Sequence, residues 1–148
     1  MHVTLAFLGG VDAERVAPLG DALRAAVAGV EPFDLRFDRL GGFPNRHRAR
    51  IAWAGSERSD EVFAHVAHAV REAAREFAAI DEKPPALHVT LARLREPHAI
   101  PKVRFSPCTM RVAEIVLFES LPGDATSRYD VVERFPLTVH ASSADHVT

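Results

Sequence analysis

The sequence has few of the features that mark disulfide-stabilised, membrane-spanning or duplex-coating proteins. Its 148 residues include one cysteine, Cys108, which excludes a disulfide within the chain and favours a reducing, cytoplasmic location. No stretch reaches the ~18 consecutive apolar residues of a membrane-spanning helix, so we expect no membrane partner. The formal net charge of -2 argues against broad electrostatic binding of duplex nucleic acid, while leaving room for a local pocket that takes one RNA end.

The spacing of apolar residues predicts two helices and six strands. The first helix is expected to be regular from about Pro18, and the second is predicted from Asp60 to about Ile80 with Ser59 as its cap. The buried stripe of the second helix is predicted to be Val62, Val66, Val70, Ala73 and Phe77. Strands are predicted at about 3–8, 33–37, 51–54, 87–94, 109–118 and 129–137.

The order of these elements is typical of an α+β protein with two lobes. No linker separates the lobes, and 47% hydrophobic residues are enough for a globular core, so residues 1–140 are predicted to form a single two-lobed domain. Residues 141–148 are small and polar, and we expect them to form a flexible tail.

One pentapeptide, His-Val-Thr-Leu-Ala, occurs twice, from His2 to Ala6 and from His88 to Ala92. Valine, threonine and leucine favour strands, in which alternate side chains share a face, so each histidine should lie beside the threonine two residues later. Two imidazoles can act as general base and general acid, and two hydroxyls can hold an anion. The repeat therefore predicts one catalytic site built from two matching halves: His2 with Thr4, and His88 with Thr90.

The two motifs resemble those of the two-histidine (2H) phosphoesterase superfamily, and their longer forms look like its RNA 2′,3′-cyclic phosphodiesterase branch. These longer forms run from His2 to Gly9 and from His88 to Arg93. The resemblance extends over nearly the whole chain through Gly41 to Pro44, Ile51 to Gly55, Leu117 to Ser120, Tyr129, and Arg134 to Leu137. It implies an α+β fold of two-lobed antiparallel sheets with flanking helices and a central cleft.

The resemblance also implies a reaction, which is metal-independent hydrolysis of RNA 2′,3′-cyclic phosphate ends to 2′-phosphates, with no cofactor. By resemblance, His88 is the base that activates water and His2 is the acid that protonates the leaving 3′-oxygen, although the sequence alone does not order them. Thr4 and Thr90 would donate to phosphate oxygens. The partners implied are RNA ends or small cyclic nucleotides.

Arg93 and Phe7 each follow a motif histidine by five residues. Arg93 could neutralise the phosphate, but strict alternation places it on the face opposite His88, so a bulge or a strand end is needed; an exposed strand-end arginine is the alternative. Phe7 could stack on a base or simply pack in the core. The basic stretch from Asn45 to Arg50 is open to two interpretations, contact with RNA phosphates or a solvated loop.

Two further enzymatic activities and one non-enzymatic function stay open. The chain could act on a small cyclic nucleotide or a 2′-5′ linkage, including ligase-like reversal, or it could be an inactive RNA- or nucleotide-binding module. The resembling branch normally carries a strand and a helix before its first motif, whereas this sequence starts at Met1. A chain that truly begins there is expected to be less stable and less active, or to cover the gap by self-association.

Overall fold

Two helices and seven strands form the part of the chain that the computed structural model describes, residues 1–121 and 128–139. Every strand pair is antiparallel, so the predicted α+β class with antiparallel sheets is confirmed. Neither helix in this part has the length and apolarity of a membrane span. The predicted tail at 141–148 lies outside the described residues. The elements are α1 (Ala13–Val27), β1 (Phe33–Phe37), β2 (Arg39–Phe43), β3 (Ala49–Gly55), α2 (Glu61–Ala74), β4 (His88–His98), β5 (Cys108–Val112), β6 (Glu114–Leu121) and β7 (Arg128–Pro136).

The strands form three small sheets, in the orders β1-β5, β2-β3-β4 and β6-β7. The predicted strand at 33–37 is confirmed as β1, whereas the predicted strand at 109–118 is two strands, because the chain leaves one sheet and enters another at Ala113. Strand β2 has no predicted counterpart, since its Gly41-Gly42 pair resembles a turn. Both glycines are buried within the strand, so they mark close packing and not a break.

The prediction of a strand at 3–8 is wrong. Residues 1–10 pair with no strand in the described structure, and side-chain packing holds this segment instead. Val3 and Leu5 pack against one hydrophobic cluster, and Leu5 and Leu8 pack against the other. The apolar pattern of the segment was therefore a correct signal of burial, but a strand also needs a neighbouring backbone to pair with.

Both helices depart from their predicted ends. Helix α1 already begins at Ala13, with Pro18 inside it. Helix α2 is capped by Asp60, whose side chain accepts a 2.8 Å hydrogen bond from the Phe63 amide, so Ser59 is not the cap. Helix α2 ends at Ala74, and its buried stripe includes Phe63 in place of Val62, which is 48% exposed.

Among the described residues, the core consists of two hydrophobic clusters. Cluster 1 lies where α1 packs against α2 and β7, and its buried members are Leu19, Leu23, Val27, Val66, Val70, Ala74, Phe135 and Leu137. Cluster 2 lies under β1, β3, β4 and the start of α2, and its buried members are Leu35, Phe37, Ala54, Phe63 and Val89. Leu5, Phe33 and Val112 pack against both clusters, which joins the two halves of the molecule.

The three-stranded sheet is built around one tryptophan side chain. Trp53 is the cross-strand partner of Gly41, and its indole occupies the space that a side chain at Gly41 would fill. Gly55 is also close to the ring, since an added Cβ there would lie 2.8 Å from Cζ3 of Trp53 and 2.9 Å from the carbonyl oxygen of Leu87. The glycines on this face therefore let Trp53 lie flat across the sheet.

We expect Gly41→Ala to displace the indole and to lower the free energy of unfolding by about 1–3 kcal/mol, the usual cost of overpacking. Trp53 is the only tryptophan, so its fluorescence emission spectrum should shift in the same variant. Gly10→Ala is the matched control, because an added Cβ there meets no atom within 4 Å. Equal unfolding midpoints and unchanged emission for the two variants would contradict this account of the sheet.

Candidate active site

The exposed face of the sheet β2-β3-β4 carries the second motif. Directly paired residues of neighbouring strands share a face, so the register defines which side chains stand together there. His88 pairs with Gly55, and Thr90 pairs with Trp53. Three cross-strand rows result: Arg39–Gly55–His88, Gly41–Trp53–Thr90 and Phe43–Ile51–Arg93. The opposite face holds Ala54 and Val89, which are buried in cluster 2.

A β-bulge at Leu91 places Arg93 on the same face as His88. Thr90 pairs with Trp53, but the next pair along is Ala92 with Ala52, so Leu91 is the extra residue on β4. Arg93 then pairs with Ile51, which shares its face with Trp53. The sequence required such a bulge for Arg93 to join the motif, and the register supplies it. The guanidinium is exposed on this face and not directed into the core.

The orientation of the His88 ring is fixed from one side by the backbone. Its Nδ1 lies 2.9 Å from the carbonyl oxygen of Ala86. A carbonyl can only accept a hydrogen bond, so Nδ1 carries the proton and Nε2 of the neutral ring has a free lone pair. Phe43 meets the ring edge-on with centroids 5.2 Å apart, and Trp53 lies 6.4 Å away. In this orientation, the lone pair on Nε2 of His88 can accept a proton.

His2 is positioned by a different pair of aromatic rings. Its centroid lies 6.2 Å from Phe118 on β6 and 6.1 Å from Tyr129 on β7. Those two rings contact each other edge-on at 6.3 Å, and they are 41% and 47% exposed. Among the described residues, the His2 ring has no hydrogen-bond partner. Its position therefore depends on ring packing against the β6–β7 hairpin.

The residues that flank the motif histidines and threonines bring the two motif segments onto one core. Val3 and Leu5 pack against cluster 2, which also contains Val89 and contacts Leu87. These apolar residues alternate with His2 and Thr4 in one segment and with His88 and Thr90 in the other. No hydrogen bond joins the four motif side chains in the described part of the chain. The structure thus supports both motifs from a shared cluster without linking their polar groups.

The structure settles one of the two interpretations of Phe7 and adds four aromatic residues to the site. Phe7 is 78% exposed, so the interpretation that it packs in the core is wrong, while stacking on a base stays a prediction. Sequence reasoning assigned no role to the aromatic neighbours Phe43, Trp53, Phe118 and Tyr129. All four lie in the segments that carry the family resemblance. Local spacing nevertheless gives no sign that Phe118 and Tyr129 contact His2, because that contact is non-local.

Within residues 1–121 and 128–139, no three His, Cys, Asp or Glu side chains gather in a way that could hold a metal ion. The ionisable groups in the three cross-strand rows are His88, Arg39 and Arg93. Such a set offers proton transfer and anion binding as its chemistry.

The chain is similar to known phosphoesterases. The family model described as LigT-like phosphoesterase matches residues 1–53. An RNA 2′,3′-cyclic phosphodiesterase of Geobacillus stearothermophilus is 33% identical over 92% of this chain and 45% of its own length. The Escherichia coli protein of the same name is 31% identical over 93% of this chain and 76% of its own length. The chain thus spans about half the length of the first of these relatives.

A solved structure is similar throughout the fold. The crystal structure of E. coli LigT complexed with 3′-AMP superposes with a TM-score of 0.70 at 27% identity, covering 93% of this chain and 77% of that chain. The antiparallel sheets and flanking helices described above are therefore shared with a nucleotide-binding relative.

We expect His88 to be the Nδ1-protonated tautomer in its neutral form, because the Ala86 carbonyl holds that proton. Two-bond ¹H–¹⁵N correlation spectra of the imidazoles measure this directly and do not depend on activity. His98 is an internal comparison, since its Nδ1 lies 2.9 Å from the Glu96 carbonyl oxygen in the same two-residue geometry. A neutral His88 ring protonated at Nε2 would contradict the orientation described.

Proposed function

Because this chain belongs to the family of LigT-like phosphoesterases, we propose that it hydrolyses RNA 2′,3′-cyclic phosphate ends to 2′-phosphates. The observation that carries the proposal is the set of polar side chains on one face of β4. His88, Thr90 and Arg93 stand together there, and the free Nε2 of His88 can accept a proton. An imidazole base beside a hydroxyl and a guanidinium suits attack by water on an anionic phosphodiester.

His88 is the proposed general base. Its Nε2 takes a proton from water as the water oxygen forms a bond to phosphorus. The bond from phosphorus to the ribose 3′-oxygen breaks, and His2 gives its proton to that oxygen. In-line displacement needs base and acid on opposite sides of phosphorus, and the two histidines reach the site from different supports: His88 from β4 and His2 from the segment that contacts the β6–β7 hairpin.

Three donors are proposed to stabilise the charge on the non-bridging phosphate oxygens. Thr4 and Thr90 supply hydroxyl groups, and Arg93 supplies a guanidinium that can bind two oxygens at once. The bulge at Leu91 supports the inclusion of Arg93, since without a change of face it would point away from His88. Phe7 is proposed to stack on the base of the terminal nucleotide, an interaction that its exposure permits.

No metal takes part in the proposed reaction, so activity should persist in the presence of a chelator. Turnover is measured on a 2′,3′-cyclic mononucleotide and on a short RNA with a cyclic end, with the product phosphate position identified. Formation of a 2′-phosphate supports the proposed direction of ring opening. A 3′-phosphate product, or activity that is lost with chelator, would contradict it.

We expect His88→Ala to reduce kcat by ~10²–10⁴-fold, the usual contribution of one acid–base group, with a much smaller change in substrate binding. Thr90→Ala should cost less, because one hydroxyl donor is lost while Arg93 remains. The control is His98→Ala, which removes an imidazole from the far end of the same strand with the same backbone hydrogen bond. Equal rates for His88→Ala and His98→Ala would rule out His88 as the base.

A further inference from the structure

An open cavity of about 420 Å³ lies beside the proposed active site, and nothing in the proposed chemistry uses it. Its charged lining comes from the β1–β2 turn, β2, the loop before β3, the β3–α2 loop and the segment after β4. We call it the basic cavity, because its charged lining consists of four basic and two acidic side chains: Arg39, Arg46, Lys102, Arg104, Asp38 and Glu57.

One lining residue of the cavity, Arg46, is held in place by hydrogen bonds to the backbone. Arg46 donates from Nε to the carbonyl oxygen of Ile100 at 2.8 Å and from a terminal nitrogen to that of Leu40 at 3.2 Å, and it also donates to Pro101. These bonds tie the segment after β4 to β2. Because carbonyl oxygens carry no net charge, the positive charge of Arg46 is positioned without being neutralised. Arg46 is therefore not freely solvated, and it has no ion-pair partner among the residues that the structure describes.

One of the two acidic side chains of the lining is ion-paired with a residue outside the cavity. Asp38 accepts a 2.9 Å hydrogen bond from the Glu57 amide and a 3.3 Å bond from Arg36. The Glu57 amide holds the pKa of Asp38 below its ordinary value, and Arg36 acts in the same direction. Asp38 thus stays ionised but is already paired with Arg36, a residue outside the lining. Glu57 is the remaining negative charge against four positive ones.

None of the four basic lining residues has an ion-pair partner in the described part of the chain: Arg39, Arg46, Lys102 and Arg104. Lys102 and Arg104 are both exposed to solvent. Positive charge focused in a cavity attracts an anion more strongly than the same charges on a flat surface. A phosphate group is the ligand that guanidinium and ammonium donors together suit best.

Arg39 connects the basic cavity to His88. Its guanidinium carbon lies 5.2 Å from the centroid of the Trp53 ring, which in turn lies 6.4 Å from His88. Arg39, Gly55 and His88 also form one cross-strand row, so Arg39 and His88 are two strand spacings apart, about 10 Å at the backbone. A short oligonucleotide with its end at His88 can reach the cavity along this row.

We propose that the basic cavity binds the backbone phosphate on the 5′ side of the terminal nucleoside, and so selects RNA ends over cyclic mononucleotides. This inference rests on the proposed function, because it takes the cyclic phosphate to lie at His88. Two kinds of ligand carry a phosphate on the 5′-oxygen of that nucleoside: RNA, in which it is a phosphodiester, and a nucleoside 5′-monophosphate. We propose that the ligand is the RNA phosphodiester.

The test compares kcat/KM for three substrates with 2′,3′-cyclic ends: a nucleoside without a 5′-phosphate, the same nucleoside with one, and a trinucleotide. The variant is Lys102→Gln with Arg104→Gln. Its control, Arg75→Gln with Arg111→Gln, removes the same charge from residues that do not line the cavity. We expect the preference for the trinucleotide over the plain cyclic nucleoside to fall about tenfold in the first variant, on the scale of a lost charge-assisted contact.

Turnover of the plain cyclic nucleoside should be unchanged in both variants, and the control should keep the wild-type preference. A preference that persists undiminished in the Lys102→Gln, Arg104→Gln variant overturns the proposal. A parallel loss on all three substrates overturns it as well, because the cavity would then not discriminate between them. A gain from the 5′-monophosphate equal to that from the trinucleotide overturns the assignment to an RNA phosphodiester.

Binding without turnover separates this inference from the proposed function. The affinity of the wild type and both variants for a 3′-phosphorylated trinucleotide is measured by fluorescence anisotropy over a range of salt concentrations. Loss of one phosphate contact should reduce the slope of log K against log salt by about 0.7 in the cavity variant. If the slope falls but no substrate is turned over, the proposed hydrolysis is contradicted while phosphate binding in the basic cavity is supported. If the slope is the same in the cavity variant and the wild type, phosphate binding in the basic cavity is contradicted.

Discussion

The packing of the Trp53 ring flat against the sheet β2-β3-β4 is the constraint on which the proposed active site and the basic cavity both depend. A ring of this size can lie against the strands only where its neighbours have no side chains, and Gly41 and Gly55 provide that space. Phe43, His88 and Arg39 then surround the ring at 5.2–6.4 Å. The indole is therefore the common surface between the imidazole proposed as base and the arginine that leads into the basic cavity.

Register determines which of the polar residues along β4 can act together. Side chains alternate along a regular strand, so His88 and Thr90 share a face by sequence alone, whereas Arg93 does not. The extra residue at Leu91 reverses the alternation once and returns Arg93 to the same face. The bulge leaves one residue of β4 without a regular partner, and it brings a third polar group to the proposed catalytic face. Bulges commonly redirect side chains in this way beside active sites.

The parts of the molecule that could be predicted from sequence are those fixed by local pattern. The second motif strand, the first paired strand at 33–37 and the α+β class follow from alternation and helical spacing. The strand predicted at 3–8 fails because pairing depends on a neighbour that the local pattern does not reveal. Strand β2 was missed because Gly41-Gly42 has the composition of a turn, whereas the pair is explained by close contacts across the fold, Gly41 with Trp53 and Gly42 with Ala49 and Ile100. The neighbours of His2, Phe118 and Tyr129, come from more than a hundred positions away.

The two histidines are supported in physically different ways, and the difference agrees with their proposed roles. A general base must present one defined lone pair, and the backbone of Ala86 fixes the His88 ring so that Nε2 is that lone pair. A general acid must deliver a proton to an oxygen that moves as its bond to phosphorus breaks. The His2 ring contacts Phe118 and Tyr129, and neither of its nitrogens has a hydrogen-bond partner among the described residues. The different surroundings of the two rings thus support the proposed assignment of His88 as base and His2 as acid.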